Sequence, residues 1–119
     1  MQDNVEIYTK ALIRVIHDSK EYRQYEEIKR KVAGFPELKQ QIDQYRKEAF
    51  LLQNSGDATH IYERTEEFER RNIEFRKNPL VNEYLACELA VCRMLQNSAF
   101  MVVKSVDIEL DDIAHEIRF

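Results

Sequence analysis

Apolar residues recur along this chain in steps of three and four, not two. Tyr8, Leu12 and Val15, with Ala11 and Ile16 beside them, mark one face of a first helix. Tyr22, Tyr25, Ile28 and Val32 mark a second. Leu38, Ile42, Tyr45, Ala49 and Leu52 come next at strict three-four spacing, and so do Ile61, Thr65, Phe68, Asn72 and Phe75. Strands would alternate apolar and polar positions instead, so the pattern predicts an all-α chain. Turn and cap residues divide it. Ser19 can cap a helix from Lys20, and Gly34-Phe35-Pro36 stops one helix and starts another. Asn54-Ser55-Gly56-Asp57 is the most turn-like segment, with Asp57 placed to cap the next helix. Asn78-Pro79 repeats the cap-then-proline signal. The boundaries predicted are 4–18, 20–33, 36–54, 58–77 and 79–115. This is a five-helix bundle in one domain spanning 1–119. The third and fourth helices, similar in length and joined by a short loop, are expected to form an antiparallel hairpin. Thr65 and Asn72 inside that seam are read as side chains that set register or bond to backbone.

The fifth helix changes the picture. At 1.5 Å per residue it would run about 55 Å, against a radius of gyration near 13 Å for a compact domain of this size. It therefore breaks or projects, and a projecting apolar helix needs a partner. A broad stripe holds Val81, Leu85, Leu89, Cys92, Leu95, Ala99, Val102, Val103, Val106, Leu110 and Ile113. Leu80, Cys87, Met94, Met101 and Ile108 form a narrower row at intervals of seven on the other side. One stripe serves the chain's own core; the second row predicts an interface with another chain, a homodimer. Tyr84 to Val103 is long enough to suggest a membrane span, but Glu88, Arg93, Gln96 and Asn97 would cost several kcal/mol there. No membrane partner is expected.

Composition narrows the function classes. Gly and Pro number two each in 119 residues, too few for an all-β domain rich in tight turns. The net charge is -4 and lies in the C-terminal third: residues 79–119 carry 3 basic and 7 acidic groups, while residues 1–78 carry 15 of each. A protein that binds nucleic acid through phosphate neutralisation is not expected from that balance. Two cysteines make no disulfide framework, and Met1-Gln2-Asp3-Asn4 does not read as a targeting signal, so the chain is read as cytoplasmic.

Candidate chemistry is sparse. Cys87 and Cys92 are five apart, about 140° around a helix, and cannot hold one ion together. Asp57/His60 and Asp112/His115 share a spacing with the pairs of di-metal bundles, but they fall near helix ends. A metal-dependent bundle enzyme stands as the alternative reading; no metal, cofactor or catalytic residue is expected. Glu88, on an apolar stripe beside Leu85, Cys92 and Leu95, is expected to be buried with a partner, and Gln96 to share that polar contact. If both partners were charged and buried, removing Glu88 would cost about 3–5 kcal/mol.

The junction Asn78-Pro79-Leu80-Val81-x-x-Tyr84-Leu85-x-x-Glu88, followed by Met94-Leu95-Gln96, resembles the YlbF/YmcA family. The likeness extends in helix order to the short second helix, the Pro36 start and the polar turn at 54–57. The resemblance implies a small cytosolic all-helical regulator that forms dimers with long helices. It also implies a non-enzymatic role in competence, biofilm formation and sporulation, with other regulatory proteins and with ribonuclease Y as partners. One branch carries a Cys-rich C-terminal tail associated with an iron–sulfur cluster. Arg118-Phe119 has no such residues beside it, so the cluster is not carried over.

Overall fold

The computed structural model describes residues 3–56 and 58–106. Six helices and no strand occur among them: α1 (Asn4–His17), α2 (Lys20–Ala33), α3 (Pro36–Gln53), α4 (Ile61–Arg71), α5 (Ile73–Arg76) and α6 (Pro79–Ser105). The all-α class is as the periodicity predicts.

The caps account for most boundaries. The Asp3 carboxylate accepts from the Glu6 N–H at 2.8 Å and opens α1. Ser19 accepts from the Tyr22 N–H at 3.1 Å and opens α2, while its own hydroxyl donates to the Ile16 carbonyl at 2.6 Å. Arg23 then donates from Nε and Nη2 to the Asp18 carbonyl at 2.9 and 2.6 Å, so the two-residue α1–α2 turn is held from both sides. Asn78 accepts from the Leu80 N–H at 2.9 Å, and Pro79, which has no N–H to satisfy, is the first residue of α6. Gly56 has φ of 72°, the left-handed region that only glycine enters without strain, and it turns the chain between α3 and α4.

The expected fourth helix, 58–77, is a correction. It starts later, at Ile61, and Asn72 divides it into α4 and α5. The Asn72 amide donates to the Phe68 carbonyl at 2.7 Å, and the residue leaves helical geometry at φ -106° and ψ 11°. A short amide that bonds its own backbone offers the chain an alternative to the helical ladder. Thr65 likewise donates to the Ile61 carbonyl at 2.7 Å. Both seam residues bond to backbone, as read from the pattern. The expected cap Asp57 lies outside the described residues, as does the predicted helical segment beyond Val106, with Ile108, Leu110, Ile113 and the Asp112/His115 pair.

The core is small and lies where α2 crosses α6 and α3. Ile28, Val32, Ile42 and Val81 are fully buried and Tyr84 nearly so, with Tyr25, Leu38, Phe75, Leu80, Leu85 and Cys87 packed around them. Tyr45 on α3 lies against Phe68 and Phe75, at centroid distances of 5.0 and 5.4 Å. Arg76 ties this layer together: it donates to the Tyr45 hydroxyl at 2.7 Å and to the Asn82 side chain at 3.2 Å. No described helix is long and apolar enough to cross a membrane.

Candidate functional site

Glu88 has the partner that its position demands. Arg46, arriving from α3, places Nε 2.8 Å from Glu88 Oε2. That oxygen is shut off from water, and the approach falls short of hydrogen-bond alignment, so charge attraction carries the link. The pair is half-buried: the side chains keep 23% and 41% of their exposure, Glu88 and Arg46 respectively. Tyr25 and Tyr84 border it, their rings edge to face at 5.9 Å. Burial and contact with Tyr84, followed by the charge of Glu88, hold the Tyr25 hydroxyl above the ordinary tyrosine range, with Arg46 opposing. Burial would lower the pKa of the Arg46 guanidinium, but the Glu88 carboxylate outweighs it and the net shift is upward. The cluster thus joins α2, α3 and α6 by one ion pair and two tyrosine rings.

Gln96 is a correction. It is exposed, not buried with Glu88. Eight residues separate the two, about 12 Å of helix, and α2 and α3 cover only the first part of α6.

The thiols behave differently from each other. Cys92 is exposed, and Cys87 packs beside the core, where burial and then the charges of Glu83 and Glu27 push its thiol upward. His17 stacks flat on Tyr22 at 4.7 Å. Among the described residues, no three His, Cys, Asp or Glu side chains converge as a metal site would require.

The surface carries more information than any cleft. The row expected to meet another chain is divided: Leu80 and Cys87 pack against the chain's own core, a use within the monomer that the heptad spacing had not revealed. Met94 is half-buried and Met101 is exposed; Ile108 lies outside the described residues. The line of α6 that turns inward is Val81, Tyr84, Glu88 and Val91, at steps of three and four; Val81 and Tyr84 join the core and Glu88 meets Arg46 of α3. The broad stripe that begins at Val81 shares that residue with this line and then diverges: Leu85 packs beside the core, while Leu89 and Cys92 are exposed. Past Val91 no described residue of α6 is buried, though Leu95, Phe100, Met101 and Val102 are large and apolar. Nor does α1 bury any residue, and Val5, Tyr8 and Val15 are each more than 60% exposed.

A family model described as control of competence regulator ComK, YlbF/YmcA, matches residues 7–107. The chain belongs to the YlbF/YmcA family. The match takes in the α5–α6 junction, from Asn78 to Glu88, and reaches from α1 to the end of α6. No curated protein and no solved structure matches the chain. Membership of the YlbF/YmcA family supports a regulatory role, and within that frame the exposed apolar faces of α1 and distal α6 are the candidate working surface.

Proposed function

We propose that this chain is a non-enzymatic, cytoplasmic protein-interaction regulator that works as a homodimer. In this reading its partners are ribonuclease Y and other regulatory proteins, and its output is control of competence, biofilm formation and sporulation. The observation that carries the reading is the amount of apolar side chain left in water on two helices of a family member. Monomeric proteins rarely keep contiguous apolar patches of that kind unless they are interaction sites. The charge balance supports a protein partner over RNA itself, since neutralising phosphates is what gives nucleic-acid binders their affinity.

The test is titration calorimetry of the full chain against purified ribonuclease Y at physiological salt. Binding of about 10 μM or tighter is expected, the range in which transient regulatory contacts work. No heat and no co-migration at tens of micromolar would remove ribonuclease Y from the proposal.

A further inference from the structure

The buried line of α6 does not end where its cover ends. Val81, Tyr84, Glu88 and Val91 continue at the same steps of three and four through Leu95, Ser98 and Val102. The first four positions lie under the chain's own helices; Leu95 and Val102 are about half exposed. The uncovered part, from Leu95 to Ser105, is about 15 Å long. On α1, Val5, Tyr8, Leu12 and Val15 keep the same three-four-three steps and are also exposed. From Val5 to Val15 this line spans about 15 Å. The molecule therefore has two uncovered apolar seams of equal length and equal period.

They do not cover each other within one chain. The α1–α2 turn is fixed by the Ser19 cap and by the two hydrogen bonds from Arg23 to the Asp18 carbonyl. In the position this turn imposes, α1 leaves its own seam in water.

We infer that α1 of each chain lies along the distal seam of α6 in a second copy, so that a two-fold dimer covers both seams twice. This rests on the homodimer reading above and specifies which surfaces make it. A second copy fits better than a foreign partner, because one symmetric contact satisfies both faces at once. Two seams per chain, each about 15 Å long on a helix about 10 Å wide, give a footprint of about 300 Å² per partner, and the exposed Ile7, Ile13, Phe100 and Met101 beside them extend it toward the roughly 800 Å² per partner of a stable interface. Both seams carry the period that lets side chains of one helix enter gaps on another. With the two seams centred on each other, Leu12 falls within about one turn of Val102 whichever way the helices run.

The test uses the full chain with Leu12→Glu, Val102→Lys and the double variant, measured by sedimentation equilibrium and circular dichroism. Both positions are exposed in the single chain, so helix content is expected to stay at the parental level. Each single variant should weaken dimerisation about 100-fold or more, because a lone charge is forced into an apolar seam. The double variant brings the new carboxylate of one chain near the new ammonium of the other and should recover at least about tenfold. A parental protein that dimerises while both single variants dimerise equally well would overturn the seam assignment and leave the homodimer reading standing. A parental protein that is monomeric at tens of micromolar would overturn both. Variants that lose thermal stability without changing mass would mean the seams are covered from within the chain, again overturning the assignment.

Discussion

Replacing Ile28 by alanine should destabilise this protein by about 2–5 kcal/mol, the range for deleting most of a buried aliphatic side chain. Ile28 is fully buried at the centre of a cluster with only Val32, Ile42, Val81 and Tyr84 as buried companions. Total stability of a domain this size is about 5–15 kcal/mol. One substitution would therefore remove a large fraction of it, and the cavity would open at the contact that joins α2 to α6. Urea unfolding monitored by circular dichroism measures the effect, at one fixed protein concentration because association shifts apparent stability. A loss below about 1 kcal/mol would mean that the packing at the α2–α6 crossing is not what holds the fold.

The second large effect is expected at Glu88. Glu88→Ala strands Arg46, which the structure places 2.8 Å away. For a fully buried charge pair the loss would be about 3–5 kcal/mol, and for a surface pair about 0–1 kcal/mol. Glu88 keeps 23% of its exposure and Arg46 keeps 41%, so water still reaches the guanidinium that is left behind. The expected cost is about 1–2 kcal/mol, below the value that the sequence pattern suggested. A double-mutant cycle with Arg46→Met isolates the pair. Coupling of about 1 kcal/mol is expected, and no coupling would show that Glu88 acts through packing alone.

The contrast between these two sites shows what the sequence could carry. Helix type and most helix ends were legible because they depend on local chemistry. Ser19 and Asn78 cap with side chains within three residues, and Pro36 and Pro79 stand where a missing N–H costs nothing. The break at Asn72 was not legible, since an asparagine in a helical seam serves as well for register as for termination. Its bond to the Phe68 carbonyl decides the matter. The partner of Glu88 was inferred in kind but not named, because Arg46 comes from another helix and sequence spacing says nothing of that crossing.

The faces of α6 were harder. A helix apolar around much of its circumference offers several plausible stripes, and spacing alone cannot choose among them. The Leu80–Ile108 row looked unused, yet Leu80 and Cys87 pack against the core. The line Val81, Tyr84, Glu88 and Val91 carried the usable signal, two aliphatic residues flanking an aromatic ring and a carboxylate at steps of three and four. Gln96 shares a helix stripe with Glu88, which is why spacing groups the two, whereas cover ends near Val91.

That end of cover is the reason the chain is read as one half of an assembly. The most direct measurement is the mass in solution of the unmodified protein, by light scattering after size-exclusion chromatography, at tens of micromolar and physiological salt. A single species of twice the 14.3 kDa chain mass is expected, holding together on dilution to about 1 μM. A species of 14.3 kDa throughout that range, with intact helix content, would contradict it.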